Sequence, residues 1–184
     1  MVMDIKKVFL DLGTHNCEGL RHFKKELNID SSWKVHAFEP NTNLDNVCWD
    51  TLGLDVTLHR KGVWTEEGTF EFFMFGDKGL SQGGYIAPVG DKKYSDYHSK
   101  MTVECINFIE FLKQFEDVDV YIKMDIEWAE YAIITKMLDE GWNNNIKKMW
   151  VEWHGLHFDK YIYDTRNLKN RIKNETNTQI FDWI

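Results

Sequence analysis

Short apolar runs alternate along the chain with stretches in which apolar residues recur every three or four positions, the pattern of strands interleaved with helices. "KVFLDL", residues 7–12, is such a run ended by Gly13, and Leu20, Phe23 and Leu27 then return at helical spacing. "WKVHAFEP" predicts a second strand, stopped at Glu39 and Pro40 because proline cannot donate to a ladder and restricts the residue before it. A short helix through Leu44, Val47 and Cys48 and a third strand, "LDVTLHR", are expected next. "TFEFFMF", after the turn residues Glu66, Glu67 and Gly68, predicts an added β-hairpin. Residues 76–100, rich in glycine and polar groups, read as one long loop. "MTVECI" reads as an edge strand leading into the helix "NFIEFLKQF", where Asn107 suits the N-cap and Phe108, Phe111, Leu112 and Phe115 form an apolar face. "VDVYIKMD", "AEYAIITKML" and "KKMWVEW" continue as strand, helix and strand. A polar helical region around 163–175 precedes a last strand, "IFDWI".

Strands alternating with helices predict an α/β domain with a doubly wound, mostly parallel sheet, because each parallel crossover needs a connecting segment. With 184 residues, 43% of them apolar, the chain can bury a core as a single domain over 1–184. Its net charge of −8 disfavours nucleic acid as a partner, and His59-Arg60-Lys61, the best basic cluster, is small. Cys17, Cys48 and Cys105 lie far apart and form neither a CxxC pair nor an even-numbered framework, so a reducing compartment is expected. No apolar run reaches membrane-spanning length and the start lacks the features of a signal peptide, which predicts a soluble, cytoplasmic protein.

In doubly wound folds ligands sit at the carboxyl ends of the strands. Asp11 and Gly13 close the first strand, Glu39 the second, Lys61 and Gly62 follow the third, and Asp125, Glu152 and His154 close two later ones. Gly13 permits a tight turn and close approach to main-chain N–H groups, and Glu39 stands where such folds place an acid that accepts hydrogen bonds from ribose hydroxyls. A dinucleotide fingerprint would need glycine at positions 15 and 18, which hold His15 and Glu18. S-adenosylmethionine, which has a ribose, no phosphates and a cationic sulfur, suits an acidic pocket better.

"FLDLGTHNCEG", "HAFEPN", "GVWTEEGTFEFF", "TVECINFIEFL", "YIKMDIEWAEY" and "VEWHG", in that order, resemble the FkbM family of S-adenosylmethionine-dependent methyltransferases over residues 8 to about 155. The resemblance implies a class I methyltransferase fold and methyl transfer to oxygen, commonly a hydroxyl on a sugar, glycan, lipid or small metabolite. It also implies that Asp11, Gly13, Thr14, His15 and Asn16 lie along the methionine part of the cofactor. Glu39, before Pro40, would hold the ribose, Gly62 and Val63 would lie near adenine, and Asp125 would close the methionine end. Cys17 and Trp128 stand where the family usually has glycine, and the tail is short, with one strand where the fold normally ends in a helix and an antiparallel pair. A second subunit could cover that edge.

Methyl transfer to an alcohol needs an acceptor held in line, and a general base helps. His154 is the preferred base; Glu152 and the alternating Lys123, Asp125 and Glu127 are further candidates. Each has a structural reading: Glu127 and Glu130 can favour the helix that follows, and Lys123 with Asp125 can be an ion pair. Two other functions stay open, a noncatalytic binding or assembly module of the same fold, and a metal-dependent hydrolase built on Glu152, His154 and His157. The favoured reading requires no metal.

Overall fold

The structure, a computed structural model, describes residues 6–44, 52–74, 84–87, 99–142, 144–155 and 159–183. Six parallel strands form the main sheet in the order β10-β9-β8-β1-β2-β3, with β1 (Lys7–Leu12), β2 (Trp33–Phe38), β3 (Val56–His59), β8 (Asp119–Met124), β9 (Ile146–Val151) and β10 (Gln179–Asp182). β1 lies between β2 and β8 and is buried from Val8 to Leu12, so its sequence is a continuous apolar run broken only by Asp11.

Alternate residues of β1 serve opposite faces. Val8, Leu10 and Leu12 pack with α2 (Phe108–Leu112), α3 (Ala129–Glu140) and α4 (Asp159–Glu175) through Leu112, Ile133, Met137 and Ile172. Phe9 packs on the other face with Leu20 and Phe23 of α1 (Glu18–Glu26) and with Trp150. Asp11, in step with Phe9, is therefore carried beneath α1. Asn107 caps α2 as expected, its side chain accepting from the N–H groups of Ile109 and Glu110.

The strand "TFEFFMF" does form an added antiparallel pair, with the strand that follows it rather than the one before. β4 (Gly62–Trp64) and β5 (Gly68–Met74) do not pair with each other, because β7 (Ser99–Asn107) inserts between them, parallel to β4 and antiparallel to β5. β7 is thus an inner strand of a second, four-stranded sheet and not an edge. β6 (Gly84–Ala87), inside the expected long loop, completes that sheet against β5. Glycine misled the reading there: a Cβ on Gly84 would come within 2.4 Å of the Phe72 ring, so the residue marks a close approach within a strand. Leu44 stands in a bend, while Val47 and Cys48 of the expected short helix lie outside the described residues.

The expectation drawn from the cysteines also changes. Cys17 is disulfide-bonded and Cys105 is a buried free thiol. Sequence separation does not reveal which positions a fold brings together, and the cysteine argument for a reducing compartment no longer holds. Among the described residues no helix is long and apolar enough to cross a membrane.

Candidate functional site

The turn after β1 crosses to the end of β2: the N–H groups of Gly13 and Thr14 both donate to the Phe38 carbonyl at 3.0 Å. Gly13 has φ 76°, and a Cβ there would fall 1.8 Å from the Asp125 carbonyl oxygen, so the turns after β1 and β8 touch only because this residue is glycine. The next turn of chain brings the His15 N–H to Glu39 Oε2 at 2.9 Å, and the Asn41 N–H meets Oε1 at 2.9 Å. Glu39 is 5% exposed, and burial pushes its carboxyl above the usual range although both N–H groups pull it back. It stands in the wall of a crevice shared with Gly13, His15, Pro40, Val63, Phe72, Ile86, Asp125 and Glu127.

Asp11 and Lys123 are register partners on β1 and β8. The Lys123 ammonium, 3% exposed, donates to the Gly13 carbonyl at 2.7 Å and lies 3.1 Å from Asp125 Oδ2 and 3.5 Å from Asp11 Oδ1. Burial works against its charge, yet Asp11 and Asp125 together hold its pKa above the ordinary lysine value. Thr14 donates to Asp11 Oδ2 at 2.6 Å. This lysine anchors the floor of a second hollow, lined by Thr14, Asn16, Asp125, Glu127, Glu152 and Trp183 and sharing Gly13, His15, Asp125 and Glu127 with the wall of the first.

At the far end, past β8 and β9, an imidazole meets four carboxylates. Glu130, wholly buried, accepts from the His154 N–H at 3.0 Å and from Nδ1 at 3.3 Å. Nε2 lies 3.3 Å from Glu127 Oε2, 3.7 Å from Asp125 Oδ1 and 3.8 Å from Glu152 Oε1. Burial acts to lower the His154 pKa, but the bond to Glu130 and the charges of Glu130, Glu127 and Glu152 win and raise it to about 9. Burial first, then Asp125, Glu152 and Glu130, lift Glu127 to about 7 against the pull of His154. Glu152 is raised by burial and by Asp125.

The structure therefore brings Gly13, Thr14, His15, Asn16, Glu39, Pro40, Val63, Lys123, Asp125 and Glu152 to two hollows that share Gly13, His15, Asp125 and Glu127, with His154 beside Glu127. Asp11 lies beneath that floor. Gly62 packs instead against Cys105 and Ile86, with no room for a Cβ. His157 lies outside the described residues; the acids that meet His154 come mainly from the turn after β8, not from its own loop. Sequence reasoning underrated Glu127 and Glu130 as companions of a helix start, since only the fold reveals that the chain after β9 returns to them. Phe72 and Ile86 were hidden in the expected hairpin and loop.

The chain matches the family described as Methyltransferase FkbM domain over residues 11–180, which reaches past the segments that carry the resemblance in the sequence and takes in α4 and the start of β10. No curated protein and no solved structure matches it significantly. With most of the parallel sheet, the glycine turn after β1 and the acid ending β2 inside the matched span, the chain belongs to the FkbM methyltransferase domain family.

Proposed function

We propose that the protein transfers a methyl group from S-adenosylmethionine to a hydroxyl oxygen on a sugar, glycan, lipid or small metabolite. The observation that carries this reading is Glu39, a buried carboxylate at the end of β2 whose two oxygens each take one backbone N–H and keep further lone pairs for hydroxyl donors in the crevice. The residues present fit the cofactor. Val63, Phe72 and Ile86 offer apolar walls to an adenine ring, Glu39 suits a ribose, and Asp125 and Glu127 favour the cationic methionine end.

When bound, the cofactor supplies an electrophilic methyl on sulfur. The chain's task is to hold the acceptor oxygen in line, exclude water and receive the hydroxyl proton. The proton goes to the carboxylates of Asp125, Glu127 and Glu152, of which Glu127 titrates near neutrality and is partly ionised at pH 7, while the His154 ring, raised to about 9, stays protonated beside them and steadies their charge. Polyhydroxylated acceptors suit this acidic end, because carboxylates accept from several hydroxyls at once.

Calorimetry with S-adenosylhomocysteine tests the reading. Wild-type protein is expected to bind, and Glu39→Gln to weaken binding by about tenfold or more, the worth of hydrogen bonds to a charged acceptor. Absence of heat from folded wild type at millimolar ligand would refute it. Transfer of isotopic label from the methyl donor to an acid-stable ether on one of a panel of alcohols identifies the acceptor class.

A further inference from the structure

We propose that Asp125, Glu127 and His154 form a binding site for one divalent transition-metal ion. Their donor atoms all lie within 4.8 Å of one another, and they come from two separate strand ends that the sheet sets side by side. An ion about 2.0–2.2 Å from nitrogen and oxygen ligands separates neighbouring ligands by roughly 3.0 Å in octahedral and roughly 3.5 Å in tetrahedral geometry. The observed separations from Nε2, 3.3 Å to Glu127 and 3.7 Å to Asp125, need only small side-chain adjustments to meet that shell.

The imidazole is set up for this role from behind. Glu130 takes the Nδ1 proton, which leaves Nε2 as the nitrogen directed at the carboxylates, the arrangement that ligand histidines use. Glu130 is 0% exposed, and its second oxygen has no hydrogen-bond partner among the described residues. The division of labour at Asp125 points the same way: Oδ2 is held by Lys123, while Oδ1 is turned toward His154. Glu152 Oε1, 3.8 Å from Nε2, is placed to act as a fourth ligand or to hold a bound water. One imidazole with two or three carboxylates selects manganese or zinc over calcium and magnesium, which take oxygen ligands alone.

This inference does not depend on methyl transfer, since the ligands belong to the chain and are assayed with no cofactor present. The test is a titration of the untagged, metal-stripped protein with Mn²⁺, followed by the loss of the free-ion paramagnetic resonance signal, with Zn²⁺ as competitor. One equivalent should bind and be displaced by Zn²⁺. Glu127→Gln and His154→Gln should abolish binding, and Glu130→Gln should weaken it about tenfold or more through the ring alone. His22→Gln, which removes the exposed His22–Glu26 pair on α1, should leave it unchanged. Because the variants could disturb folding, wild-type protein is also followed by proton resonance, where Zn²⁺ should shift the His154 ring signals. No binding by folded wild type at millimolar metal overturns the proposal. Binding that survives both ligand variants, or is lost in His22→Gln, means an adventitious ion only and overturns it equally.

Discussion

Lys123→Met removes the cation that two carboxylates and a carbonyl share beneath the crevice. At 3.1 Å and 3.5 Å, and an effective dielectric of about 20, the attraction to each of Asp125 and Asp11 is about 5 kcal/mol before the cost of taking the charges out of water. That cost, several kcal/mol per ion, cancels most of the gain, so an apolar trio of the same shape would be about as stable. Taking away one partner is different. Asp11, 0% exposed, would keep only the Thr14 hydroxyl among the described residues, and an uncompensated buried charge costs about 3–5 kcal/mol. This is a fifth or more of the roughly 5–15 kcal/mol that holds a domain folded.

Urea unfolding followed by tryptophan fluorescence measures the loss. Lys123→Met should lower stability by about 3–5 kcal/mol, and adding Asp11→Asn should restore at least half, because the stranded charge goes with it. The pH dependence has a sign. A lysine held above its ordinary value stabilises fully below the unfolded-chain pKa near 10.4, and its contribution fades as pH climbs through the higher folded value. The gap between wild type and variant should therefore narrow only in strong alkali. A loss under about 1 kcal/mol, or a double variant no better than the single, would refute a buried, mutually dependent triad.

Two further outcomes follow from local geometry. Gly13→Ala places a methyl 1.8 Å from the Asp125 carbonyl at a positive φ, so the turns after β1 and β8 must part; about 2 kcal/mol or more is expected, a fall in Tm of at least about 4 °C, and an unchanged Tm would contradict the contact. His36, 4% exposed with Nδ1 2.9 Å from His59 Nε2, has its pKa lowered to about 4, by burial first and then by the charges of Lys34 and His59. Its neutral form stabilises fully above about pH 6.5, and about 1–3 kcal/mol should be lost as pH falls through 4. Denaturation of His36→Leu across that range should show the loss removed, and an equal acid sensitivity in the variant would refute the assignment.

The strands of the main sheet were legible because both of its faces are covered. β1, β2, β8 and β9 are apolar runs ended by a glycine, an acid or a polar turn, and the acids at those ends became the crevice. The second sheet was not legible, because β7 pairs with residues of two strands 25 to 43 positions earlier in the chain, and no local pattern encodes which strand inserts between which. The same limit hid the charge cluster. Asp125, Glu152 and His154 stood out singly as strand-end residues, whereas Glu130 looked like an ordinary acid in the first turn of α3. Its role emerges only from the 24 positions of chain that return His154 to its side.

Strain tells where the fold spends stability on shape. Among the described residues, five non-glycine residues have positive φ, and four of them, His15, Cys17, Glu127 and Trp128, lie in the two turns that border the crevice. Such a conformation costs an ordinary residue about 1–2 kcal/mol. Cys17 and Trp128 are the positions where the family resemblance expects glycine, and at φ 66° and 79° both keep the backbone shape that glycine would adopt freely. The departures in sequence are thus not departures in the turn itself. A scaffold with no ligand to hold would gain by relaxing these turns, whereas one that must aim the His15 N–H at Glu39 and the Glu127 carboxylate at His154 has a reason to keep them. The concentration of strain at this single crevice favours a working methyltransferase site over a fold retained only for assembly.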